Sequence, residues 1–111
     1  MALATATAKN NLANAYAAAA QYAALYTTVP SDTAGTEVTG GAYSRKPVAW
    51  SNAVQGSVNA TVTFDVPAGV TVQGAGVHNA ASAGYLDGWS VLPQTFATAG
   101  KYTLSLTFSE A

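Results

Sequence analysis

The sequence predicts an α+β, mainly β, chain: an N-terminal Ala-rich helix followed by an antiparallel β-sandwich of immunoglobulin-like or jelly-roll-like type. Three observations carry this. Almost half of the alanines fall in the first 24 residues, while the rest of the chain is rich in Val, Thr, Gly and aromatic residues. Two stretches, Ser57 to Val66 and Lys101 to Ser109, alternate apolar and polar side chains with the two-residue period of a half-buried strand. Short strand-like runs separated by turn residues recur from Pro30 onward, which is the pattern of a sandwich. At 111 residues the chain reads as a single domain over 1–111, with the helix over 1–21 and the sandwich over 22–111.

The helix is the strongest local expectation. Between Thr7 and Gln21 there is no Gly or Pro, alanine is the best helix former, and Thr5 or Thr7 can cap the first turn. Leu12, Ala15, Tyr16, Ala19, Tyr22 and Ala23 recur at helical spacing and predict one apolar face. The other face carries Ala17, Ala18, Ala20 and Ala24 in place of Glu and Lys. It either docks on a further surface or uses alanine simply as a surface helix former. The alternation of Tyr22 to Tyr26 and the β-branched run Thr27-Thr28-Val29 before Pro30 place a change from helix to strand near Gln21.

Beyond Pro30, Ser31 to Thr36 is a turn-forming loop, and Gly40-Gly41 is a break that calls for positive φ. Ala42 to Trp50 alternates as a strand, made an edge or interrupted by Pro47, which lacks an amide donor. Val58, Ala60, Val62, Phe64 and Val66 form the inner face of the next strand, and Pro67-Ala-Gly69 turns the chain. Val70 to Val77 follows, with Gly74 and Gly76 suggesting a bulge or the close approach of another backbone. A mobile loop is expected over His78 to Gly84. Tyr85 to Leu92 contains an Asp87-Gly88 turn or bulge, and the last strand points Tyr102, Leu104, Leu106 and Phe108 inward.

Charge and composition exclude several classes of function. Four Lys and Arg against five Asp and Glu give a net charge of −1, so there is no field to hold a phosphate backbone or an anionic bilayer, and neither nucleic acid nor membrane is expected as a partner. The absence of cysteine removes disulfides, thiolate zinc sites and cysteine nucleophiles. The first nine residues lack the basic and apolar regions of a signal peptide, and the alanine-dominated run from Leu12 to Val29 is too weakly apolar for a membrane span. Only 8% of residues are charged, against about 25% in typical domains. Such a chain lacks the repulsion that keeps domains apart and reads as a subunit. The alternative is a domain whose Ser and Thr hydroxyls replace charges at the surface.

Catalytic signals are sparse. His78 is the single histidine, no Gly-x-Ser-x-Gly elbow accompanies it, and it reads as a loop residue. Asp32, Glu37, Asp65, Asp87 and Glu110 show no paired or calcium-loop spacing, with Asp65 and Asp87 read as turn formers. Gly74-x-Gly76 lacks the rest of a dinucleotide fingerprint. No catalytic, metal-binding or cofactor-binding residue is therefore expected, and no cofactor. Trp50, Tyr85 and Trp89 are a candidate aromatic platform for a sugar, although tryptophans in small β domains more often fill cores.

Three separated segments, Thr36 to Trp50 (TEVTGGAYSRKPVAW), Phe64 to Val72 (FDVPAGVTV) and Gly100 to Leu106 (GKYTLSL), occur in an order that resembles the small tail-fibre-type and minor virion structural proteins of tailed bacteriophages of actinobacteria. Tyr26-Thr-Thr-Val-Pro30 departs from the His-Thr-Ala-Asp-Pro-like sequence more usual there. The resemblance implies folding roles: Gly40 and Gly41 turn the chain, Tyr43 and Trp50 pack, and Arg45 holds a carboxylate or loop carbonyls through its fork. It further implies a non-enzymatic virion subunit, tail-associated or alternatively a capsid decoration protein, bound to other tail or capsid proteins and forming a homo-oligomer in the particle. Leu12, Tyr16, Ala20 and Ala24 are the candidate assembly contacts. A carbohydrate-binding module contacting host glycans is the alternative of another class.

Overall fold

In a computed structural model, residues 5–109 are described; Met1 to Ala4 of the expected helix and Glu110 lie outside them. Helix α1 spans Ala6–Ala19, capped by the Thr5 hydroxyl, which accepts the Ala8 amide at 3.1 Å. Six strands follow: β1 (Tyr22–Tyr26), β2 (Lys46–Pro47), β3 (Ser57–Val66), β4 (Val70–His78), β5 (Tyr85–Phe96) and β6 (Gly100–Ser109). They form an antiparallel four-stranded sheet in the order β2-β1-β4-β5 and a two-stranded sheet β3-β6. The result is a mainly β, sandwich-like arrangement with one leading helix, having fewer strands than either fold named above.

The inner faces meet as the periodicity requires. Val62, Phe64, Val66, Leu104 and Leu106 of the β3-β6 sheet pack against Ala23, Leu25, Val72, Ala75 and Val77 of the larger sheet, with Val38 between them. The β3-β6 ladder runs in unbroken register from Ser57↔Ser109 to Val66↔Gly100. Every inward residue of one strand therefore faces an inward residue of the other.

α1 stops where tertiary bonds take its next backbone groups. The Gln21 amide donates to the His78 carbonyl at 3.0 Å, and the Ala20 carbonyl accepts from the Trp50 indole at 2.8 Å, which turns the chain into β1. The helix lies against β3 and β6. Ala13 is buried there, while Leu12 and Ala15 of the expected apolar face point away. The face is rotated because Asn10 accepts the Gly56 amide and Tyr16 stacks on Phe108 with ring centroids 4.1 Å apart, both on the inner side.

Other expectations are corrected. Only Lys46 and Pro47 of the strand expected over Ala42 to Trp50 pair with a neighbour, at the sheet edge, as an amide-less Pro47 dictates. Asp65 and Asp87 lie inside β3 and β5 rather than in turns, and His78 is the last residue of β4 rather than part of a loop. β5 runs through Pro93 to Phe96, longer than expected, and uses twelve residues beside nine of β4. The surplus is taken up by irregularities between Val77 and His78, where Leu86 is extruded, and between Val72 and Gly74, where Val91 to Pro93 bow out.

β4 is covered on both faces, which the glycines allow. Val72, Ala75 and Val77 face the core, and on the opposite face Tyr26 and Pro30 lie directly over Gly76 and Gly74. A Cβ on Gly76 would stand 2.8 Å from the Tyr26 ring and 2.8 Å from the Asp87 carbonyl oxygen. Gly76→Ala is therefore expected to cost about 1–3 kcal/mol through overpacking. A urea midpoint unchanged from the parent chain would show that the Tyr26 ring is free to move aside.

Candidate functional site

Two places in the fold gather chemistry-bearing side chains. The first is a polar network between β1, β4 and the loops beside them. Arg45 meets Glu37 through its fork, Nη2 to Oε1 at 2.8 Å and Nε to Oε2 at 3.0 Å, and its Nη1 donates to the carbonyls of Ala80 and Ala83 at 3.2 and 2.7 Å. The guanidinium thus holds a carboxylate and loop carbonyls together. Tyr43 donates to Glu37 Oε2 at 2.8 Å and accepts the Leu25 amide at 3.0 Å. Gly40 and Gly41, at φ of 94° and 56°, supply the turn that aims Tyr43 inward.

His78 closes the network. Its Nδ1 lies 2.8 Å from the Ala83 carbonyl, which can only accept, so Nδ1 carries the proton and Nε2 accepts from the Tyr26 hydroxyl. The ring is 2% exposed and has both nitrogens satisfied, which describes a structural histidine rather than a base awaiting a substrate. Burial pushes its pKa down, helped by the Arg45 charge, against opposing effects of the Ala83 carbonyl and Glu37. Burial also pushes Glu37 up, but hydrogen bonds from Arg45 and Tyr43 and the Arg45 charge outweigh it and hold the carboxyl below its ordinary range.

The second place is an open cleft of about 480 Å³ between the edges of β5 and β6, closed at one end by α1. Tyr16, Trp50, Trp89 and Phe108 supply its apolar wall, and Asp87 together with the β6 edge at Ser105, Thr107 and Ser109 its polar one. Trp50 and Trp89 of the candidate platform converge here. Tyr85 does not: it faces Tyr26 and His78 on the other side of β4 and donates to the Ser31 carbonyl at 2.7 Å. Its place is taken by Tyr16, whose hydroxyl donates to Asp87 Oδ2 at 3.2 Å. Tyr16 and Asp87 lie 71 residues apart and are brought together by the tertiary fold.

The assembly candidates also separate. Leu12 is 46% exposed and Tyr16 half-buried in the cleft, whereas Ala20 and Ala24 are fully buried, Ala20 at the helix end and Ala24 in β1. In the single chain, Leu12 and Tyr16 are therefore the two of the four that stand open at the surface. No group of three metal-ligating side chains occurs among the described residues, and no helix there is long and apolar enough to cross a membrane.

The fold and sites define a sandwich in which Glu37, Tyr43, Arg45 and His78 are spent on holding loops. A family model described as podophage GP4 fiber I protein gp80 matches residues 3–107, and the chain belongs to that family. It is thus a phage fibre protein of the virion with a structural, tail-fibre-type role, which implies interaction with other virion components. The match carries no information on an actinobacterial host. No curated protein matches the chain, and no solved structure does.

Glu37→Gln is expected to destabilise the chain by about 2 kcal/mol, less than the roughly 3–5 kcal/mol of a fully buried pair because both partners keep some solvent contact. A chemical denaturation curve superimposable on the parent's would remove the network from the stability account. The pH dependence follows from the same groups. Both folded-state pKa values are depressed, so the unfolded chain binds more protons, and the stability these groups contribute is present at high pH and lost on acidification. The loss begins below the ordinary histidine value of 6.5 and gains a second component below the ordinary glutamate value of 4.5. Denaturation midpoints taken from pH 8 to 4 should show both components in the parent chain and only the lower one in His78→Gln.

Proposed function

We propose that this chain is a non-enzymatic, tail-associated fibre subunit that self-associates and works through protein–protein contacts. The observation that carries the reading is the exposure of apolar side chains on β5, an edge strand: Leu92 is 88% exposed and Leu86 is 40% exposed, both at the points where β5 bows away from β4. An edge deformed in this way does not template a further strand, since its amides are out of line. It presents side chains instead, and with few charges around them nothing opposes contact with a second copy. Leu12 on α1 and Val54 in the loop before β3 are further exposed apolar side chains. The fibre family supports a place on the tail over decoration of the head. The satisfied state of His78 and the use of Glu37 and Arg45 in loop anchoring support a role without catalysis.

The test is light-scattering mass measurement on the purified chain over a wide concentration range, beside Leu92→Lys. The parent is expected at a multiple of its 11.2 kDa, with the variant shifted toward the monomer. A strictly monomeric parent that also retains no other virion protein would overturn the proposal.

A further inference from the structure

The cleft between β5 and β6 holds more polar capacity than the fold uses. The Asp87 carboxylate has about four acceptor positions. One is filled by the Tyr16 hydroxyl and one by the Gly88 amide at 2.9 Å, and the residue is exposed, so the others are open. Ser105, Thr107 and Ser109 stand along β6 opposite it. β6 has a neighbour only on its β3 side, so alternate backbone groups of the same stretch are unpaired toward the cleft. Against this polar wall stand Tyr16, Trp50, Trp89 and Phe108, and the volume of about 480 Å³ falls in the range of small-molecule sites, roughly 300–1,000 Å³.

We propose that this cleft binds a neutral sugar residue of a glycan, its C–H faces against the aromatic wall and its hydroxyls donating to Asp87 and exchanging hydrogen bonds with the β6 edge. The combination selects the chemistry. A pyranose presents apolar and hydroxylated surfaces side by side, as the two walls do, whereas a purely apolar ligand would strip water from the open acceptor positions of Asp87 and put nothing in its place. Sign of charge narrows it further. Among the described residues Asp87 is the only charged one lining the cleft, with no Lys or Arg opposite, so uronic and other acidic sugars meet repulsion without compensation. Trp50 and Tyr16 are pre-set: the Trp50 indole is fixed to the Ala20 carbonyl, and the Tyr16 ring stands edge-on to it at 6.1 Å. Little side-chain freedom is therefore left to lose on binding. The site is independent of whether the subunit self-associates.

The chain's two tryptophans both line this cleft, so intrinsic fluorescence reports on it directly. The probes are cellotetraose, maltotetraose and a linear mannotetraose, each titrated into the full chain, with oligogalacturonate as the acidic control. At least one neutral probe is expected to change the emission saturably, while oligogalacturonate does not. Asp87→Ala should weaken that probe by about tenfold or more, the loss of a hydrogen bond to a charged group. Should that variant fail to fold, amide chemical-shift mapping on the parent decides: shifts confined to Asp87–Trp89 and Ser105–Ser109 support the site. No response to any neutral probe, equal binding of the acidic control, shifts centred elsewhere, or undiminished binding by folded Asp87→Ala would each overturn it.

Discussion

Glu37 can lie among the side chains at the end of this sandwich because Arg45 meets both of its oxygens and Tyr43 donates to one of them. The consequences spread along the chain of bonds. Arg45 reaches on to Ala80 and Ala83, Ala83 fixes the tautomer of His78, and His78 accepts from Tyr26, whose ring is laid across Gly76. One guanidinium thereby ties the loop after β1, the start of β1 pairing, the end of β4 and the connection to β5. In a chain without disulfides, this network does for the loops what the apolar core does for the strands.

The same economy explains the surface. With so few charges available, two of them are consumed internally by Glu37 and Arg45, and hydroxyls serve along the exposed faces of the strands, as in the Thr63–Thr103 and Thr71–Thr95 cross-strand pairs. A surface of this kind neither repels like copies nor attracts polyanions, which suits a component of a virion fibre. The two edges facing the cleft differ in kind. β6 is in unbroken register with β3, while β5 is bowed away from β4 by its surplus residues on either side of Asp87 and Trp89.

Much of the fold was legible because it rests on local patterns. The alternation in Ser57 to Val66 and Lys101 to Ser109 specified β3 and β6 and their inner faces, the alanine run narrowed the cap to Thr5 or Thr7, of which Thr5 serves, and the Gly40-Gly41 turn followed from its dipeptide. The expected strand over Ala42 to Trp50 shrank because most of its backbone has no ladder partner: Tyr43 and Arg45 extend into the polar network instead. His78 was misread as a loop residue because nothing near it in sequence announces burial. Its cover comes from Tyr26, more than fifty residues earlier. The cleft was half legible. Two tryptophans marked it, but Tyr16 reads as a helix-face residue and Asp87 as a turn residue until the strands are paired.

Taken alone, the sequence determined the leading helix, the long strands β3 and β6, and which face of those two strands is apolar. Each of these depends on residues within a few positions of one another or on composition. Tertiary structure alone decided how the chain turns out of α1, with β4 and Trp50 claiming the backbone groups of Gln21 and Ala20 at the helix end that the sequence already places near Gln21. It also decided that Ala20 and Ala24 are covered while Leu12 is not, and that Tyr16, Trp89 and Asp87 share one cleft. Those outcomes depend on strand register and bulges, which fix distances between residues that the chain itself keeps far apart.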